Sequence, residues 1–404
     1  EVEGSKNAAL PIIASTILFK KGVSVIDNIP PLRDIFTIKQ VLEHIGAVIE
    51  YNPEKMRIKI DCADIKTSIA PYELIRQMRA SFLVLGPLLS RLGEAKVSLP
   101  GGCNLGARPV DYHVKGFRVL GAQITEDSGY IIAKAKKLKG TKIHFDRPSH
   151  TGTENLIFGA VMAEGTTQII NAACDPEVVD VVNFLNKAGA KIKGAGTSTI
   201  TIEGVKELKA VKYKVTGDRL MAGTYMCAAG ITGGKIDISG FNSTHLTMVS
   251  RKLYEMGCKV REHKDGVQIT GPKLLTPTNI VTFPFPGFPT DLLPCFVALA
   301  SIANGASSIK ETVFENRFAH TLELNRLGAN IKVTGNDAIV NGVTKLKGAS
   351  IMASDIRGGA GLVLAALAAE GKSDLLRVYH VDRGYYRMEE KLSEVGADIK
   401  RVNE

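Results

Sequence analysis

Apolar residues recur along this chain at helical spacing and then switch to strict alternation, and a glycine marks each switch. Ile38, Val41, Leu42 and Ile45 share one helical face, as do Met388, Leu392 and Val395. Each such stretch runs into a pentapeptide of one type. The six versions are Ile45-Gly46-Ala47-Val48-Ile49, Leu120-Gly121-Ala122-Gln123-Ile124, Ala188-Gly189-Ala190-Lys191-Ile192, Met256-Gly257-Cys258-Lys259-Val260, Leu327-Gly328-Ala329-Asn330-Ile331 and Val395-Gly396-Ala397-Asp398-Ile399. The glycine predicts the left-handed turn that ends a helix, and a short strand follows it. Successive glycines stand 75, 68, 68, 71 and 68 residues apart, which marks six copies of one unit. Cys258 stands where other copies carry Ala, and reads as core.

A second set, Gly22, Gly93, Gly165, Gly233, Gly305 and Gly371, precedes the first by 23 to 28 residues and closes a more uniformly apolar helix. The unit is therefore strand, helix, strand, helix, strand, strand, with alternation such as Thr199-Ile200-Thr201-Ile202 as its closing strand. The first copy opens directly on its helix, and the last stops after Val402 without a closing strand. Glu1 in place of an initiator Met predicts that the true start is missing, and that a missing N-terminal strand completes the last unit. Six units divide as three plus three, with a boundary near residues 205–218. The predicted domains are residues 6–216, and residues 1–5 with 217–404. The chain would cross between them near Gly4 to Lys6 and near Thr216 to Asp218, and two crossings predict a hinge.

A length of 404 residues also calls for more than one core. Apolar runs such as Gly361 to Ala369 are too short to span a membrane, and no signal peptide is visible, so a soluble protein is expected. Six scattered cysteines without a C-x-x-C pair argue against zinc or a disulfide framework, and for a reducing cytoplasm. The net charge of +10 admits nucleic acid or small polyanions. Aromatics at 6%, no Trp and dispersed lysines favour an anion-binding cleft over a nucleic-acid surface. No Walker loop or dinucleotide fingerprint occurs. Gly194-Ala195-Gly196 lacks both the third Gly and the helix that should follow.

The first helix of every unit begins with ionisable or phosphate-compatible groups: Lys6-Asn7, Arg79-Ala80-Ser81, Arg147-Pro148-Ser149, Asp218-Arg219, Asp291, and Asp355 with Arg357. Capping accounts for Asp and Ser there but not for Lys and Arg, which oppose the helix dipole. A site lined by helix ends and cations suits a polyanionic ligand. Asp291, in Phe288-Pro289-Thr290-Asp291, reads either as a general base in an apolar setting or as a plain cap. Arg33, Arg317 in Glu311 to Arg317, and Arg383 in His380 to Tyr385 stand at strand ends and suit phosphate or carboxylate. The Gly-rich stretch Leu99 to Asp111 excludes helix and central strand, and carries Cys103 and Arg108. It reads as a mobile loop with a reactive thiol, or as a turn with an inert one.

Taken together, Gly4-Ser5-Lys6-Asn7-Ala8-Ala9-Leu10-Pro11, the Cys103 loop, Phe288 to Asp291 and Glu311 to Arg317 resemble the UDP-N-acetylglucosamine 1-carboxyvinyltransferases, over essentially the whole chain. The resemblance implies an α/β fold of two inside-out barrels, each of three βαβαββ units, with substrates in the cleft between them. It implies transfer of the enolpyruvyl group of phosphoenolpyruvate to the 3′-hydroxyl of UDP-N-acetylglucosamine with release of phosphate, in the cytoplasm, at the start of peptidoglycan synthesis. No metal or organic cofactor, nucleic acid or membrane is implied. Cys103 would protonate the enol methylene, Lys6, Arg108 and Arg383 would hold phosphoenolpyruvate, and Asp291 would take the 3′-hydroxyl proton. Asn7, Arg33, Arg79, Arg108, Pro109, Val110, Asp111, Tyr112, Arg147, Pro148, Ser149, His150 and Val313 would line the nucleotide-sugar and phosphate sites, with Arg317, Asp355 and Arg357 completing them. Two departures stand out: Arg147 to Thr153 differs from the family's commoner Ser-Val-Gly-Ala run, and Arg33 replaces a common Lys. The rival readings are a 5-enolpyruvylshikimate-3-phosphate synthase, which lacks the Cys loop, and an RNA-binding repeat protein.

Overall fold

The computed structural model describes residues 1–76, 78–99 and 110–402, and only the backbone of Arg79. All twelve marker glycines have positive φ, from +68° at Gly233 to +138° at Gly305. A Cβ is disfavoured in that region, so one residue type recurs wherever a helix must stop and turn into a strand.

Among the described residues the chain forms two compact units, one of residues 4–99 and 110–216 and one of residues 1–3 with 217 onward. The first crossing lies between Glu3 and Gly4. Gly4 donates its N–H to Asn28 Oδ1 at 3.0 Å and Ser5 donates to the Thr216 carbonyl at 2.7 Å, which fastens both to the first unit. In the second unit the Asp218 N–H donates to the Glu3 carbonyl at 2.8 Å. Asp180 secures the other end of the first unit, accepting from Tyr213 Oη at 2.6 Å and the Thr216 N–H at 3.1 Å.

In the second, third and fifth repeats a small sheet forms in which the opening strand runs parallel to the second, and the closing hairpin adds antiparallel. In the third repeat the order is Lys142–His144, Thr166–Ile170, Thr199–Glu203, Lys191–Lys193. The second and fifth repeats keep the same order. The ends depart from the sequence-based expectation. The first sheet does have an opening strand: Lys212–Lys214 pairs parallel with Val23–Asp27, in the register Val25 with Lys212. The fourth sheet is the one with three strands, and Val2 donates its N–H to Ser239 at its edge. The sixth holds only Ser350–Met352 and Asp374–Leu376, and among the described residues no strand follows helix Met388–Glu394.

The first helix of each unit is mainly apolar and buried along most of its length, though Leu85–Leu92 comes to the surface in its last turn. Such a helix cannot face water, so the sheets and the amphipathic second helices lie outside it. In the second unit helices Arg219–Thr232, Leu293–Ala300 and Ile356–Ala368 pack on one another. In the first, Leu85–Leu92 packs on His150–Ala160, and Lys6–Ser15 on the turn Arg79–Val84. Cys258 is buried in the second core, as read from its place among alanines. No helix among the described residues is long and apolar enough to cross a membrane.

Candidate active site

In the second unit three inner helices start close together, and their first residues form one charged network. Asp218 caps its helix by accepting from the N–H groups of Leu220 and Met221, both at 2.9 Å. Asp355 caps another, accepting from Arg357 at 3.0 Å and Gly358 at 2.9 Å. Asp291 heads the third and is bound from two sides. Arg317 Nη2 donates to Oδ1 at 2.5 Å, and Arg357 Nε stands 3.4 Å from Oδ2. The apolar setting expected for Asp291 is therefore absent: its neighbours are two buried guanidiniums, and a quarter of its side chain remains exposed.

Those arginines are themselves held in place. Arg317 Nε donates to Thr290 Oγ1 at 2.9 Å, and Thr290 donates to Glu311 Oε2 at 2.7 Å. The buried Glu311 also accepts from Thr282 at 2.8 Å and from the N–H groups of Val313 and Phe314. Arg357 Nη1 donates to Tyr385 Oη at 3.0 Å, and Tyr385 lies 2.9 Å from Thr224 Oγ1. Burial works against the Arg357 charge, but Tyr385, Asp291 and Asp218 outweigh it, and the guanidinium titrates above its ordinary value. Arg383 ends the turn Val378–Arg383, half-buried. The His380 imidazole is pushed down by burial and then by Arg383, with Asp355 pulling the other way. This network brings Asp291, Arg317, Val313, Asp355 and Arg357 together, with Arg383 acting on its edge.

In the first unit Lys6, at the head of its helix, is buried and donates to the buried Asp34 Oδ2 at 2.9 Å. That partner offsets the cost of a cation at a helix N-terminus. Asn7 is half-buried beside it, and Arg33, next to Asp34, is exposed. Ser149 caps its helix by accepting from Gly152 at 3.2 Å, while Arg147 and Pro148 are exposed. His150 sits among carboxylates, with Nε2 3.1 Å from Glu154 and Nδ1 3.6 Å from Asp175. Burial pushes its imidazole down, but those two groups raise it well above the ordinary value. His150, Asp175 and Glu177 bring ligand-type atoms within 4.8 Å of one another, a geometry that suits a cation. Here the imidazole's two nitrogens face carboxylates instead. Val110, Asp111 and Tyr112 open helix Asp111–Val119, and the Tyr112 ring meets Phe145 edge-on at 5.3 Å. Cys103, Arg108 and Pro109 lie outside the described residues, as does the Arg79 side chain.

Sequence reasoning missed Asp34, Tyr385, Thr224 and His320. Asp34, Tyr385 and Thr224 act through partners far away in the chain, and only Asp34 carried a local signal, its place after Arg33 in a proline-rich turn. His320 is fully buried, with Nδ1 3.1 Å from the Arg317 carbonyl and Nε2 without a hydrogen-bond partner among the described residues. Asn155 was also missed: it joins the buried His113 at 2.9 Å to the Gly86 N–H at 2.8 Å.

Residues 1–392 match the family model described as EPSP synthase (3-phosphoshikimate 1-carboxyvinyltransferase). The UDP-N-acetylglucosamine 1-carboxyvinyltransferase 1 of Caldanaerobacter subterraneus subsp. tengcongensis is 51% identical over 401 residues, 99% of this chain and 96% of that protein. The UDP-N-acetylglucosamine 1-carboxyvinyltransferase of Thermodesulfovibrio yellowstonii is 50% identical over 402 residues, with 99% and 96% covered. Among solved structures, the enolpyruvyl transferase NikO from Streptomyces tendae superposes with a TM-score of 0.89 at 24% identity, covering 99% of this chain and 94% of that one, which establishes the fold. The repeats, the network of helix starts and these matches agree: the chain belongs to the EPSP synthase family and, within it, to the UDP-N-acetylglucosamine 1-carboxyvinyltransferases.

Proposed function

We infer that this protein transfers the enolpyruvyl group of phosphoenolpyruvate to the 3′-hydroxyl of UDP-N-acetylglucosamine, releasing phosphate, and that it does so in the cytoplasm for peptidoglycan synthesis. Identity of about one half across nearly the whole chain to proteins named for that reaction carries the assignment. The chemistry of the charged network fits it. Both substrates are anions, and buried arginines pre-arranged by carboxylates and hydroxyls stabilise developing charge without reorganising.

In this reading Asp291 accepts the 3′-hydroxyl proton as the oxygen adds to C2 of phosphoenolpyruvate. Arg317 and Arg357 fix the direction of its carboxylate, and the exposed quarter of the side chain is where the hydroxyl arrives. Cys103 delivers a proton to the C3 methylene. Loss of a C3 proton and of phosphate then regenerates the enol ether. Lys6, Arg108 and Arg383 hold phosphoenolpyruvate. Asn7, Arg33, Arg79, the run 109–112, Arg147, Pro148, Ser149, His150 and Val313 hold the nucleotide sugar, with Arg317, Asp355 and Arg357 beside the reacting groups. The two compact units, each built from three repeats, are assigned as its domains.

Phosphate release decides it. With phosphoenolpyruvate and UDP-N-acetylglucosamine, release should be fast, and with 3-phosphoshikimate in place of the nucleotide sugar it should stay at background. The reverse preference would move the chain to the shikimate branch of its family.

A further inference from the structure

Arg401 makes four hydrogen bonds to two carboxylates that flank a residue of the reaction. Its Nη1 and Nη2 donate to Asp382 at 3.0 and 2.6 Å, and its Nε and Nη2 donate to Glu389 at 2.6 and 3.2 Å. Asp382 is the immediate neighbour of Arg383 in the turn Val378–Arg383, and Glu389 lies in the first turn of helix Met388–Glu394. A planar guanidinium fork meets both partners with four hydrogen bonds in fixed directions, whereas a Lys ammonium is a compact charge with three donors and cannot match that geometry. The Glu389 carboxyl feels burial pushing it up, yet Arg401 brings it below the ordinary range.

The far side of the same segment is pinned too. Tyr385 is buried, with its hydroxyl on Arg357 and Thr224. Between the two anchors the backbone is pressed against the start of helix Ile356–Ala368: a Cβ on Gly384 would stand 2.4 Å from Ile356 Cγ2. Arg383 therefore sits in a short stretch fixed from inside by Tyr385 and from outside by Arg401.

We propose that Arg401 is a positioning residue for phosphoenolpyruvate, acting through Arg383 by clamping Asp382 to Glu389. The proposal rests on the reading that Arg383 holds phosphoenolpyruvate. Exposed ion pairs of this kind contribute little to global stability. With 42% of the Arg401 side chain exposed, its loss acts locally: it leaves two carboxylates without their shared cation and frees the turn that aims Arg383.

Steady-state kinetics on the full chain test this. Arg401→Ala should raise KM for phosphoenolpyruvate by about tenfold, the scale expected for a small misplacement of a binding group, with KM for UDP-N-acetylglucosamine within about twofold of wild type. Arg401→Lys should recover only part of the loss, and Asp382→Asn should reproduce it should Arg401→Ala fold poorly. In an Arg383→Ala background Arg401→Ala should add nothing. Equal shifts in both KM values, or independent effects of the two substitutions, would overturn the clamp. Arg383→Ala on its own separates the two readings. If it leaves phosphoenolpyruvate kinetics unchanged, the role of Arg383 fails; if it alone raises that KM while Arg401→Ala does not, the clamp fails.

Discussion

His320 shows what a single side chain can do at the edge of such a network. It is fully buried below the charged helix starts, and burial pushes its imidazole down to about 4, against the pull of Asp355. The unfolded chain protonates the same ring near the ordinary value of about 6.5. Between those two pH values the unfolded state binds the proton and the folded state does not, so stability falls as pH drops through that window. The slope due to this group approaches about 1.4 kcal/mol per pH unit. Urea unfolding of wild type and His320→Gln at a series of pH values from 7 to 4 should show the wild type losing more stability than the variant. Parallel curves would mean that the imidazole charges freely in the folded protein. Residue-scale chemistry was only half legible in the sequence. The helix-start positions of Lys6, Asp291, Asp355 and Arg357 could be read from spacing. Their partners could not, because Lys6 meets Asp34 across 28 residues and Tyr385 meets Thr224 across 161. That is why the apolar setting read for Asp291 was wrong: Arg317 reaches it across 26 residues of the same repeat, and Arg357 comes from the next one.

Within elements, the repeat glycines separate backbone strain from steric fit. At Gly189 φ is +105° and an added Cβ would meet nothing within 4 Å, so Gly189→Ala isolates the cost of the left-handed conformation. That cost should be about 1 kcal/mol, lowering the thermal midpoint by a few degrees at most in a chain of this size while leaving KM values unchanged. Differential scanning fluorimetry with initial rates checks both halves, and an unchanged midpoint would show the turn relaxing to negative φ. The glycine ladder is also why the repeat could be read from sequence: each helix stop is a local requirement written in one residue. The completion of the first sheet by Lys212–Lys214 was not readable. The alternation Val211-Lys212-Tyr213-Lys214-Val215 is a strand pattern, but nothing local shows that it pairs with Val23–Asp27, nearly two hundred residues away.

For the molecule as a whole, the charge balance bears on rate more than on fold. A net +10 on a chain whose substrates are both anions creates a long-range attraction, and its reach shrinks with salt. Arg317 and Arg357 are buried and paired, so salt screens them little once substrate is bound, whereas exposed surface cations such as Lys20 and Lys136 act mainly during approach. The two contributions separate in kinetics. Raising potassium chloride from about 0.05 to about 0.5 M should lower kcat/KM for phosphoenolpyruvate roughly three- to tenfold while kcat at saturation changes little, because the Debye length falls from over 10 Å to a few ångströms. Sucrose at matched viscosity should not reproduce the drop. A kcat that falls in step with kcat/KM would place the salt-sensitive charges at the bound transition state instead, among residues such as Arg383 that are only half-buried.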